Sequence, residues 1–204
     1  MPGAFLQRTG EAVALRGPAV GLIETASIAR GLVVADAMVK RAPCDLAFAR
    51  PVSAGKHVVI VTGEVAEVDE AMAIGLEVAA ASLIDRLHLS QVHAAVLRAL
   101  GGGRRAAGMA SLGIIETTSV SAALLGADAA CKASEVELAE LRLADGLGGK
   151  AYFIVTSTLD LVEAAVNAAR HVLDPAVIVA TEIIAAPHDD LLEAVRRARP
   201  GDTP

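Results

Sequence analysis

Apolar positions along this chain alternate between a strand rhythm and a helix rhythm. AVGLIET (19–25) is a short, nearly continuous apolar run of strand length. Ser27 follows, a residue type that caps helix N-termini, and then Ile28, Leu32, Ala35 and Val39 at helical spacing. DLAFARPV (45–52) and KHVVIVT (56–62) read as two strands joined by a tight loop that ends in Gly-Lys. GEVAEVDEAMAIGLEVAAAS (63–82) reads as a helix with Val65, Val68 and Met72 on its buried stripe. LIDRLHL (83–89) reads as a last strand and SQVHAAVLRAL (90–100) as a closing helix. The order βαββαβ plus a helix predicts an α+β fold, an antiparallel sheet with helices on one face in the ferredoxin-like split βαβ arrangement.

The same rhythm then begins again. VGLIETASIARGLVVADAMVK (20–40) and LGIIETTSVSAALLGADAACK (112–132) align at an offset of 92, with ten of twenty-one positions identical. The shared positions include Gly21/Gly113, Glu24/Glu116, Thr25/Thr117, Ser27/Ser119, Asp36/Asp128 and Lys40/Lys132. Val120, Leu124, Ala127 and Cys131 repeat the helical spacing. Past the Gly-Lys loops the offset becomes 94, so HVVIVTGEVAEVDEA (57–71) matches AYFIVTSTLDLVEAA (151–165) and the second loop is two residues longer. GGGRRAAGMA (101–110) has the glycine and charge of a linker. The chain is therefore a tandem duplication of a unit of about 90 residues. Its domains are expected at 19–100 and 111–200, with the linker at 101–110 and flexible tails at 1–17 and 199–204.

Composition adds three constraints. The chain of 204 residues is 54% hydrophobic but only 2% aromatic, so its apolar mass is Ala, Val, Leu and Ile. No run reaches the ~18 apolar residues of a membrane helix, and a non-membrane chain this apolar is expected to bury surface against copies of itself. The net charge of −6, without a basic stripe or stacking aromatics, argues against nucleic acid. MPGAFLQRTGEAVALRGP has no signal-sequence pattern, and Cys44 and Cys131 lack CxxC spacing, so both are expected as reduced packing residues in a cytosolic chain.

The Gly-Lys loops raise the question of phosphate binding. A P-loop needs Ser or Thr after the lysine, but Lys56 precedes His57 and Lys150 precedes Ala151. Both loops also join strands rather than open a helix. His57, His88, His93, His171 and His188 are scattered without metal-ligand spacing, and are expected to cap helices or sit at interfaces. Glu24 and Glu116 end the first strand of each unit, where a partner in the backbone or a neighbouring subunit is expected. Nothing in this set has the pattern of an enzyme, a metal centre or a cofactor site.

Three features recur together in both copies: the G-[LI]-I-E-T start, the A-D-A-x-x-K helix and the Gly-containing loop between strands. In this combination the chain strongly resembles bacterial microcompartment shell proteins of the tandem-domain trimeric class, over residues 19–200 and in unpermuted element order. The resemblance implies a homotrimer whose six domains form a pseudohexagonal plate. Such plates tile with other shell hexamers and pentamers around a metabolic pathway in the bacterial cytoplasm. It also implies that the loops converge on a central pore for small polar metabolites. By position, Val52, Ser53, Ala54 and Gly55 form the first pore loop, and Asp145, Gly146, Leu147, Gly148 and Gly149 the second. Lys56 and Lys150 then start the following strands and point away from the narrowest ring. Lys40 and Lys132 match the family's edge lysines at the seam between plates, and His188 lies on the same edge.

Two departures qualify this picture. A relative in the family has a cysteine at the position of Ser53 that helps hold an iron–sulfur cluster. Serine is a poor ligand for a cluster that wants thiolates, so no cluster and no other cofactor is expected. The family often has an arginine at the seam where Gln91 and Ala186 stand here. The competing reading is a trimeric small-molecule sensor built from the same tandem ferredoxin-like domains, which would need convergent ligand-binding residues.

Overall fold

A computed structural model describes residues 12–103, 110–144 and 146–197. Asp145, most of the expected linker (104–109), and the tails at 1–11 and 198–204 lie outside the described residues. The chain divides into two compact units.

The first unit runs β1 (Ala19–Thr25), α1 (Ile28–Arg41), β2 (Asp45–Val52), β3 (Lys56–Gly63), α2 (Val65–Ala79), β4 (Leu83–Leu89) and α3 (Ala94–Leu100). The sheet order is β2-β3-β1-β4, with every neighbouring pair antiparallel. This is the ferredoxin-like order expected from βαββαβ. Helices α1 and α2 cover one face of the sheet. There Ile23, Val34, Ala35, Met38, Val59, Val61, Val68 and Met72 form the core. Small residues set the helix-to-sheet distance: a Cβ on Gly21 would lie 2.7 Å from Met72.

Two boundaries differ from the sequence reading. Gly63 belongs to β3, and α2 begins at Val65 behind a capping box formed by Glu64 and Glu67. The closing helix begins four residues later than expected, because His93 caps it by accepting from the Ala95 amide through Nδ1. The expected N-terminal tail is also shorter. Arg16 is fixed to the first unit by its amide on Asp45, by its guanidinium on the Pro43 carbonyl and by an ion pair with Glu67.

The second unit repeats the first: β5 (Ser111–Thr117), α4 (Val120–Ala133), β6 (Glu137–Leu143), β7 (Ala151–Ser157), α5 (Leu159–Val172), β8 (Ile178–Ile184) and α6 (Asp189–Arg197). Its sheet order is β6-β7-β5-β8, again antiparallel throughout. Gly113 faces Val162 and Val166 of α5, as Gly21 faces α2. On the opposite sheet face, Leu112, Ala139 and Ile154 pack with Leu192 of α6.

Candidate functional site

The repeated motif residues occupy equivalent structural roles in the two units. Ser27 accepts the Arg30 amide at 3.2 Å and Ser119 accepts the Ala122 amide at 3.3 Å, so each caps its helix. The threonine two residues earlier locks the turn into that cap. Thr25 Oγ1 donates to the Ser27 carbonyl at 2.9 Å, and Thr117 Oγ1 to the Ser119 carbonyl at 2.8 Å.

The glutamates and the loop lysines meet. Lys56 Nζ lies 2.9 Å from Glu24 Oε1, and Lys150 Nζ lies 2.8 Å from Glu116 Oε1. Each carboxylate therefore has a lysine partner within its own unit. Cross-strand geometry explains the pairing. Glu24 is opposite Val58 on the antiparallel neighbour, which puts Lys56 on the diagonal and on the same sheet face. The two pairs differ in setting: the Glu24 side chain is 4% exposed and that of Glu116 35%. Lysines held in this way are not free to receive a phosphate.

Between the lysines and the preceding strands lie the two loops. Val52 is corrected from loop to strand: it ends β2, pairs with Lys56 and is buried. The first loop is thus a single tight turn, Ser53–Gly55, with Gly55 at φ 75°. The second runs from Ala144 to Lys150, and Gly146, Gly148 and Gly149 have φ of 70°, 64° and 91°. Those values are left-handed backbone that side chains with a Cβ enter at a cost.

Each A-D-A-x-x-K segment contains an (i, i+4) ion pair, with Lys40 Nζ 2.6 Å from Asp36 and Lys132 Nζ 2.5 Å from Asp128. Asp36 is 59% exposed and Asp128 5%. His188 is exposed, and its Nδ1 accepts the Asp190 amide at 3.2 Å at the start of α6.

The remaining histidines divide. His88 sits 3.2 Å from Asp69 across a groove between α2 and β4, a contact the sequence reading missed. His57 is neither a cap nor an interface residue. It is fully buried at the start of β3 with no hydrogen-bond partner for either ring nitrogen. Cys44 and Cys131 are not joined in a disulfide, and burial raises the pKa of Cys44. Among the described residues, no group of three or more His, Cys, Asp or Glu is placed to hold a metal ion, and no helix is long and apolar enough to cross a membrane.

Two ferredoxin-like units that repeat one set of caps, ion pairs and glycine turns define a tandem-domain class. The BMC domain family model matches residues 19–96 and again residues 111–187, and the chain belongs to that family. It is 36% identical to the bacterial microcompartment shell protein PduT of Citrobacter freundii over 174 residues, 85% of this chain and 95% of that protein. The crystal structure of a microcompartments protein from Desulfitobacterium hafniense DCB superposes with a TM-score of 0.82 at 38% identity, covering 86% of this chain and 98% of the other. A fused permuted hexameric shell protein of a microcompartment gives a TM-score of 0.53 at 20% identity over 74% of this chain and 81% of its own, a likeness of fold.

Proposed function

We propose that this chain closes into a homotrimer of six BMC domains, a plate in the shell of a bacterial microcompartment. The structural shell role rests on the two BMC domains and on shell-protein relatives that match nearly end to end. Association through α1 rests on one observation, a difference between the duplicated helices, and the count of three comes from the tandem-domain trimeric class that the chain resembles. Ile28, Leu32 and Val39 of α1 are exposed, whereas their duplicates Val120, Leu124 and Cys131 of α4 are buried; Leu32 is 54% exposed and Leu124 0%. The same apolar face is thus covered in one copy and open in the other. A further chain supplies the missing cover. Such a heterologous contact closes when the rotation returns to its start.

Within that ring, Ser53, Ala54, Gly55, Asp145, Gly146, Leu147, Gly148 and Gly149 line the pore, and small polar metabolites pass through it. Lys40, Lys132 and His188 lie along the edges that meet other shell hexamers and pentamers. No cofactor is assigned, and the chain acts as structure rather than catalyst. The shell-protein relatives give the sensor reading no support, and it is set aside.

The test is sedimentation velocity on the full chain followed by negative-stain microscopy at rising concentration. A species of three chains, six-sided with a central dimple and growing into sheets or tubes, is the expected result. A monodisperse monomer, or a discrete oligomer that never associates laterally, would overturn it.

A further inference from the structure

The duplication contains a volume exchange at the root of the first loop. His57 is the residue after Lys56, at the first turn of β3 beyond Ser53–Gly55. Its imidazole fills the space beside Gly31 of α1, where an added Cβ would fall 2.4 Å from Nδ1 and 2.5 Å from Cγ. In the second unit the same two positions are Ala151 and Ala123, and both are buried. One copy packs an imidazole against glycine, and the other packs two methyl groups.

That imidazole has no polar partner. Both nitrogens are buried and unbonded. A neighbouring subunit cannot reach atoms that have no accessible surface, so assembly cannot supply the missing acceptor. The elements around the ring offer no charge either. Opposite His57 stand Thr25 on β1 and Pro51 on β2, with Gly31 on α1. The Thr25 hydroxyl already donates to the Ser27 carbonyl. Glu24, Lys56 and Arg50 are adjacent along the strands but alternate onto the other sheet face, where Glu24 and Lys56 pair. Arg30, next to Gly31, is exposed. Burial alone pushes the His57 pKa below its ordinary value.

We propose that His57 is an acid-sensitive latch on the first loop: neutral, it packs into Gly31 and fixes Ser53–Gly55, and protonated, it must leave the core and release that turn. The proposal concerns the fold of β3 and stands whether or not the loops line a pore. The opened state binds a proton at the unperturbed histidine value of ~6.5, while the packed state resists it. Stability held by the packed, neutral ring is therefore full above ~6.5 and falls as the pH drops below it. Ala151 cannot titrate, so the second loop provides an internal comparison.

Hydrogen exchange on the full assembled chain reads this directly. After correction for intrinsic exchange, the peptide covering residues 53–58 should open up to about tenfold more at pH 5.5 than at pH 7.5, the ratio set by a reference value of ~6.5. The peptide covering 146–152 should not change. Transplanting the second unit's pair, as Gly31→Ala with His57→Ala, should abolish the difference at 53–58. Equal pH responses of the two loops, or an unaltered response in the double variant, would overturn the latch. If the variant does not fold, NMR titration of 13C-labelled histidine in the unmodified chain decides. A His57 midpoint below ~6.5 supports the proposal, and a midpoint at or above it refutes it.

Discussion

Glu24 Oε1 and Lys56 Nζ stand 2.9 Å apart across the β1–β3 ladder, and the duplication repeats the contact with Glu116 and Lys150 at 2.8 Å. The lysine that makes each loop look like a phosphate cradle is the tether that holds the loop to the first strand. Its value depends on burial. Lys56→Met leaves a nearly buried carboxylate without its partner and is expected to cost about 1–3 kcal/mol. Lys150→Met acts on a more exposed pair and is expected to cost below ~1 kcal/mol. Urea denaturation of the two variants side by side checks the order, and equal losses would contradict it.

Gly21 and Gly113 occupy the same position of the repeat but face different neighbours. A Cβ at Gly21 meets the flexible Met72 side chain, which can shift. At Gly113 it meets Val162 and Val166, branched side chains with little rotamer freedom. Gly113→Ala is expected to cost about 1–3 kcal/mol and Gly21→Ala less, as read from thermal midpoints.

Leu32→Glu places a charge on the open face of α1. In the isolated chain the side chain is already exposed, so the helical circular dichroism signal should be unchanged. In sedimentation the three-chain species should be lost. A variant that still forms trimers would remove α1 from the interface.

Lys40→Ala and Lys132→Ala separate edge from ring. Lys40→Ala removes an exposed (i, i+4) pair worth about 0.3–0.5 kcal/mol to its helix, whereas Lys132→Ala acts on the nearly buried Asp128 and is expected to cost more, about 1–3 kcal/mol. Trimers should persist while sheets and tubes seen by microscopy become sparse. Unaltered sheets would assign these lysines to their helices alone.

In the proposed ring, Ser53→Cys brings three thiols to one axis. An assembled variant is expected to take up a thiophilic metal or cluster, measured by elemental analysis against the unmodified chain, because thiolates are the ligands such centres require. Absence of uptake in correctly assembled trimers would show that the three loops do not converge.

Much of this was legible in the sequence. Strand and helix periods placed the elements to within a few residues, and the internal repeat matches the duplicated order of elements. The pairing of Glu24 with Lys56 was not read, although its signal was present: both residues recur, and antiparallel neighbours bring the end of one strand beside the start of the other. The apolar spacing of Ile28, Leu32 and Val39 marked a helix face, but periodicity is blind to whether a face meets its own core or another chain. The core side of α1 is carried instead by Gly31, Val34, Ala35 and Met38. His57 was hidden for a related reason, since only the duplicate positions Ala123 and Ala151 reveal that Gly31 and His57 share one volume.

The three left-handed glycines of the second loop also limit how this protein can change over time. Among the described residues of one chain nothing lies within 4 Å of a Cβ built on Gly146, Gly148 or Gly149, so within the chain the cost of replacing them is conformational, of order 1 kcal/mol at each site. Every replacement of glycine by another residue adds a Cβ and incurs that penalty. Leu147 carries no such restriction. A lineage that altered this loop would therefore be expected to drift first at Leu147, with the glycines around it inherited as a fixed frame.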